Sequence, residues 1–399
     1  MDRSGFDNVD SGRDLVVPRS HVGAAASRVA ALVRRGLHLA DDLDSDWLTV
    51  VCGKDGAMAL RRDGTLWAWG RNDRFQLGLG DTVDRHRPTR IGTDDDWQTV
   101  ACHWYYSVAV KRDGTLWTWG SADSGQLGLD VVTSATSPFR VVVDDDWQLV
   151  TCGSACTLAL KRDGALWAWG GNAHGQLGLD DGAPRCRPAL VGGDADWQDA
   201  SSNEWSTFAV KRDGSLWAWG WNEGGRLAIG DANDRPCPVR VGCERDWRTV
   251  LTKWGGTLAI KQDGSLWSWG CNRYGQLGLG DESDRQRPER VGIDDDWQAL
   301  GGHWFDSFAL KRDGSLWAWG LNNYGQLGLG DLRDRYRPVR VGRDVDWQVP
   351  SCKGGSALAV KRDGSLWAWG RDDFGQPGPA DSGGRLVPTR VHGRWEPEP

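Results

Sequence analysis

The sequence predicts an all-β protein, a seven-bladed β-propeller of four-stranded antiparallel blades, on three observations. A period of fifty residues runs through the chain, with "DGxLWxWG" beginning at Asp63, Asp113, Asp163, Asp213, Asp263, Asp313 and Asp363. Turn signals divide each unit into four short apolar runs. Tryptophan is abundant, 27 of 399 residues, and returns at fixed places in the unit. Stacked repeats of this length bury a shared core that one unit cannot bury alone. Four short strands with tight hairpins favour a blade over the coil of a linear β-solenoid, the competing architecture.

The unit that begins at Trp297 shows the elements in order. "WQALGG" is a short alternating run, strand A, and "SFALK" at Ser307 to Lys311 is strand B. "RDGS" follows as an Asp-Gly hairpin turn, whose glycine accepts the positive φ of a tight loop. "LWAWG" at Leu316 to Gly320 is strand C, with Trp317 and Trp319 on one face by the two-residue period. A glycine-rich loop leads to strand D at "VRVG", and Pro338 is expected at the start of that strand rather than within it. Each blade is packed on both sides, so large flat indoles fill the gaps, each contributing on the order of 2–3 kcal/mol of transfer free energy. Small Ala309 and its equivalents let blades approach where the ring narrows. Ring closure has two solutions: strand A at Trp47 to Cys52 completes the last blade, or each unit forms its own.

The propeller is assigned to residues 46–399, preceded by a leader, residues 1–45, in which "GAAASRVAALVRRGLHLA" is compatible with one amphipathic helix acting as a cap or mobile segment. The leader lacks the basic and apolar pattern of a secretory signal, and no apolar run approaches the roughly 18 residues needed to span a bilayer. A cytoplasmic location is expected, with signal-less export compatible with the same features. The net charge of −7 argues against a phosphate-coating nucleic-acid binder. Nine cysteines show no zinc spacing, and Cys52, Cys102, Cys152 and Cys352 share one repeat position, where buried free thiols are expected.

"CGSACTLALKRDGALWAWGGNAHGQLGLDD", with "GQLGLG" after "WG.N" elsewhere, resembles the repeat of the regulator-of-chromosome-condensation family, over nearly all of residues 47–395. The resemblance implies a seven-bladed propeller. Family repeats usually carry a histidine before "TLAL"; here that position is Gly56, Tyr106, Cys156, Ser206, Gly256, Asp306 and Ser356, so no role tied to that histidine carries over.

In an up-and-down meander the A–B and C–D loops share one face of the disc, and the B–C and D–A turns share the other. The turn face is monotonous: "KRDGS" and acidic triplets such as Asp294-Asp295-Asp296, expected to form a solvated charge ladder rather than a calcium site. The loop face carries the variation. Its candidate partner-binding residues are His103, Trp104, Tyr105, Tyr106, Trp205, Trp221, Trp254, Tyr274, His303, Trp304, Phe305 and Tyr324. Exposed aromatics beside charges have the composition of a binding hot spot, and their concentration in the second, fourth, fifth and sixth units predicts a lopsided patch. The rival reading has these side chains plugging the central channel.

No catalytic set, cofactor or metal site is expected. "GQLGLGD" lacks the ending of a phosphate loop. His103 and His303 stand four blades apart in sequence, which argues against a shared metal. The expected function is a non-catalytic propeller that binds a protein partner through the loop face; self-association through that face is also compatible. The alternative implied by the resemblance is guanine-nucleotide exchange on a small GTPase, against which stands the unbroken period without an inserted wedge. A lectin would repeat its site in each blade, and these loops diverge. A likeness to the ultraviolet-B photoreceptor fails on its arginines: Trp104, Trp254 and Trp304 are followed by Tyr105-Tyr106, Gly255-Gly256 and Phe305-Asp306.

Overall fold

A computed structural model describes residues 46–392 other than 54, 131–133, 142–143, 349 and 372–383. The leader lies outside these residues. Among the described residues are seven four-stranded antiparallel sheets, each in the order A-B-C-D and each made from one repeat unit. The first blade holds Trp47–Cys52, Gly56–Arg61, Leu66–Gly70 and Arg85–Arg90, and the sixth holds Trp297–Gly301, Asp306–Lys311, Leu316–Gly320 and Arg335–Arg340. Strand A is innermost: the A strands of successive blades contact one another around the ring.

The core is distributed over the junctions. Each of the seven apolar clusters joins two adjacent blades. At the junction of blades six and seven, Phe308, Leu316 and Leu327 of one blade meet Trp347, Ala357 and Trp369 of the next. A leucine-rich face therefore packs on a tryptophan-rich face, and the pattern repeats around the ring. Most second motif tryptophans also bond across the junction: Trp319 Nε1 donates to the Gln276 carbonyl at 3.0 Å and Trp119 Nε1 to that of Gln76 at 3.0 Å.

Closure uses the same parts. The Trp47 amide donates to the Gly364 carbonyl at 3.1 Å, as Trp97 does to Gly64 and Trp297 to Gly264, each at 3.1 Å. The Cys52 amide adds a bond to Ser351 Oγ at 2.8 Å. Of the two closures the sequence allowed, each unit forms its own blade, and the seam is lateral packing of the first blade on the last. The Asp-Gly turn is thus both a hairpin and an interblade acceptor. Gly314 holds φ at 86°, and a Cβ there would lie 2.0 Å from the Val345 carbonyl oxygen.

Two expectations need correction. Pro338 sits inside its strand, Arg335–Arg340, not at the start. The strand is the outer edge of the blade, where a missing N–H costs no ladder bond, and its register shifts between Ala318 and Gly320 of the neighbouring strand. The acidic triplets are solvent-exposed as expected, but they are not a free-standing ladder, since they close on a buried cation. Lys111 Nζ lies 2.8 Å from Asp94 and 3.0 Å from Asp96, with its side chain only 9 % exposed. The same ammonium lies 4.9 Å from the Trp97 ring centroid and 4.8 Å from that of Trp117. Equivalent cages hold Lys161, Lys211, Lys311 and Lys361. Lys261 has Asp246 alone at 3.1 Å, since Glu244 replaces the first aspartate, and Arg61 takes the place of lysine between Trp47 and Trp67. The cation that the acidic turns serve is the protein's own strand-B lysine.

Candidate functional site

The hydrogen bonds agree with the predicted parity. On the turn face the Arg312 amide donates to the Asp296 carbonyl at 2.8 Å, joining a B–C turn to the D–A turn before it. On the loop face the Leu321 amide donates to the Phe305 carbonyl at 3.0 Å and that of Trp221 to Trp205 at 2.8 Å, joining C–D loops to A–B loops.

The A–B loops are shaped by their own polar side chains. Asn203 Oδ1 accepts from the amides of Trp205 at 2.9 Å and Ser206 at 2.8 Å, a local turn that swings Trp205 outward. In blade six the loop is closed from its other end, where Asp306 Oδ1 accepts from the His303 amide at 2.8 Å. Trp304 between them holds a left-handed backbone with φ of 34°, an expensive setting for a bulky residue. In blade five Gly255 is needed for space: a Cβ there would meet the Phe305 ring at 2.7 Å.

The aromatic residues form three groups. Trp205 and Trp221 meet edge to face at 4.8 Å, flanked by His174, with the Arg226 guanidinium 3.8 Å over the Trp221 ring. Phe305 lies between Trp254 at 5.3 Å and Tyr274 at 4.8 Å. Trp104 contacts Tyr105 at 6.0 Å, and Arg74 lies 5.7 Å over Tyr105. Tyr324, 43 % exposed, carries Arg371 at 5.0 Å. Trp254, 39 % exposed, is the other freely accessible ring of the candidate set, and Trp104, Tyr105, Trp205, Trp221, Tyr274, His303, Trp304 and Phe305 are half-buried. Tyr106 is fully buried, its hydroxyl 2.6 Å from the Cys156 carbonyl of the next blade, and it belongs to the junction rather than the surface. His103 is buried too.

Inward of the rings the channel mouth holds a cavity of about 120 Å³, bordered by Trp254 and Trp304. The same loops therefore supply both side chains that line the channel mouth and side chains that stand on the rim. The residue at the junction of strand A and the A–B loop borders this space in five blades: His103, Asn203, Lys253, His303 and Lys353. The topology brings the His103 and His303 rings to 6.2 Å across the channel, although they are two hundred residues apart in sequence. No cluster of three metal-ligating side chains occurs among the described residues. Burial, with the nearby lysine charges, holds both imidazoles well below their ordinary pKa.

Lys253 Nζ donates to the Asp306 carbonyl oxygen at 2.9 Å and to Ser307 Oγ. Burial lowers the pKa of this lysine and raises that of Asp306, while each charge favours the other. Glu204, half-buried, is raised by burial and opposed by a bond from the Trp254 indole and by Lys353. Cys52, Cys102 and Cys152 complete the wall as free thiols, and burial keeps those of Cys52 and Cys102 up at about 12, inert at neutral pH.

The aromatic pattern alone passes over Lys353 and Glu204. The signal for Lys353 was in register: reading one position every fifty residues finds two lysines, two histidines and no acid at the channel ring.

Residues 33–305 match the RCC1-like domain, and residues 313–355 match the regulator of chromosome condensation (RCC1) repeat. Among solved structures, human WBSCR16 is similar at a TM-score of 0.72 and 24 % identity, covering 80 % of this chain and 88 % of that one. Prp20p of Saccharomyces cerevisiae is similar at 0.74 and 19 %, covering 84 % and 88 %. These two likenesses speak to the fold. Ras guanine nucleotide exchange factor C of Dictyostelium discoideum is 45 % identical over 42 residues, which is 10 % of this chain and 3 % of that protein. With more than half of its length matched by one family, and seven blades to agree, this chain belongs to the RCC1-like domain family of β-propellers.

Proposed function

We propose that the chain is a non-catalytic protein-interaction propeller that grips its partner with the loop face. The observation that carries this reading is the asymmetry of the two rims: the turn face repeats one lysine cage, whereas the loop face gathers unlike aromatic groups beside Arg74, Arg226 and Arg371. Tryptophan, tyrosine and arginine are the residues that dominate binding energy at interfaces. Support of a coarser kind comes from Prp20p, whose structure was described together with its binding to Gsp1p and histones.

The test is capture of partners from cell extract by the wild-type chain and by the Trp254→Ala/Trp304→Ala double variant, followed by affinity measurement with the captured protein. The double variant should fold normally and lose several kcal/mol of affinity, on the order of two hot spots. Unchanged affinity would move the site off this face.

Guanine-nucleotide exchange on a small GTPase is the finer alternative, favoured by the Gsp1p binding of the yeast propeller. Release of labelled GDP from a panel of small GTPases decides it: acceleration by the wild-type chain supports exchange, and none with any GTPase removes it. A cytoplasmic location is proposed on the same footing, to be checked by fractionation.

A further inference from the structure

We propose that the channel mouth is an oxyanion-binding site built around Lys353, taking a carboxylate or a phosphate-type group. Lys353 is 4 % exposed, and its side chain lines the cavity. Its ammonium makes no hydrogen bond or ion pair among the described residues, in contrast to that of Lys253 two blades away, which is held by Asp306 and Ser307. Glu204 acts on this ammonium only through space, a buried ammonium with no hydrogen-bonded partner is expensive, and an anion is the partner that removes the cost.

The surroundings favour that choice. His103 Nδ1 and His303 Nδ1 are buried without hydrogen-bond partners, and Asn203 borders the same space. Glu204 is the one carboxylate lining the cavity among the described residues, and its bond from the Trp254 indole holds it toward the aromatic rim. A volume of about 120 Å³ admits a carboxylate or a phosphate where about four waters would otherwise stand. Burial pushes the pKa of Lys353 down to about 8, so the ammonium is still the main form at neutral pH, and an anion beside it would raise that value.

A free ion and an acidic side chain of a docked protein satisfy the same chemistry, and only the second rests on the proposed protein-binding role. The full-length chain is titrated with sodium phosphate, sodium acetate and a short polyglutamate peptide, each at constant ionic strength set with sodium chloride. Heat is the main readout, and intrinsic tryptophan fluorescence, to which Trp254 and Trp304 at the cavity contribute, is the second. At least one probe should bind saturably, and Lys353→Met should weaken it by about 10- to 100-fold, the worth of one charged hydrogen bond. Lys353→Arg should retain most of the affinity, which separates lost charge from lost fold. Tightest binding of phosphate or acetate identifies a free-ion site, and tightest binding of polyglutamate identifies a socket for a partner's acidic side chain. No saturable binding of any probe, or equal binding by wild type and Lys353→Met, overturns the proposal. Loss of this site with retained partner capture, or the reverse, distinguishes it from the aromatic rim.

Discussion

On the turn face of the ring, Lys111, Lys161, Lys211, Lys311 and Lys361 each sit between two indoles and are met by two aspartates. On the loop face, equivalent positions hold histidine, asparagine, lysine or glycine, and neighbouring loops present different rings. Both faces bound the same strands, so the contrast is not one of fold. The turns are held fixed because each makes a junction: its glycine carbonyl receives the tryptophan amide of the next blade. The loops make few such obligatory contacts and are free to differ. A repeat can therefore spend its sequence variation on one rim without loosening the ring.

The sharpest way to break this comparison is to remove a junction tryptophan. Trp319→Ala deletes a side chain that is 0 % exposed, together with its bond to Gln276, and should cost about 3–5 kcal/mol in denaturant unfolding. Trp254→Ala, on a half-open ring, should cost well under about 1 kcal/mol of stability by the same assay while taking about 2 kcal/mol or more from partner affinity. Equal destabilisation by the two would erase the distinction between junction and rim.

Proton linkage tests whether the inner ends of the loops are as buried as described. As pH falls below about 6.5, the unfolded chain takes up a proton on His103 and the folded chain does not, so stability falls. Asp306, raised to about 6 by burial, acts in the opposite sense, as does Glu204, while Lys253 and Lys353, both lowered, make their main contributions nearer neutral and alkaline pH. Comparing wild type with His103→Gln isolates the imidazole: between about pH 6.5 and about pH 5 the variant should lose about 1–2 kcal/mol less than wild type. Parallel pH profiles would mean that His103 is solvated.

The smallest expected effect concerns a gap in the turn-face pattern. Trp317 Nε1 donates to Ser315 Oγ at 3.0 Å, and other first motif tryptophans have a serine or threonine in that role. Blade three has Ala165 there, and Trp167 Nε1 is buried without a partner. Ala165→Ser should raise stability by about 1 kcal/mol, read as a shift in the unfolding midpoint.

Much of this was legible from residues alone, and the failures have physical causes. "DGxLWxWG" specified the hairpin and strand C because turn chemistry and two-residue alternation are local. The separation of the faces followed from antiparallel order. The cages were misread because the partner of Asp294 and Asp296 is Lys311, a residue that alternation places in a strand and whose burial between two indoles is a tertiary fact. Pro338 was misplaced because nothing local marks strand D as an outer edge. Tyr106 read as a surface aromatic, yet it stands where its hydroxyl reaches across to blade three. The channel ring was hidden for a different reason: Lys353 and His103 become neighbours only when the ring closes, and that closure brings together residues from opposite ends of the chain.

The most direct measurement is hydrogen exchange of the full-length chain with and without its captured partner. Added protection should concentrate in residues 103–106, 203–206, 253–256 and 303–306, with the turns at 311–315 and 294–296 unchanged. Protection of those turns, with the loops left exchanging as before, would contradict the assignment of recognition to the loop face.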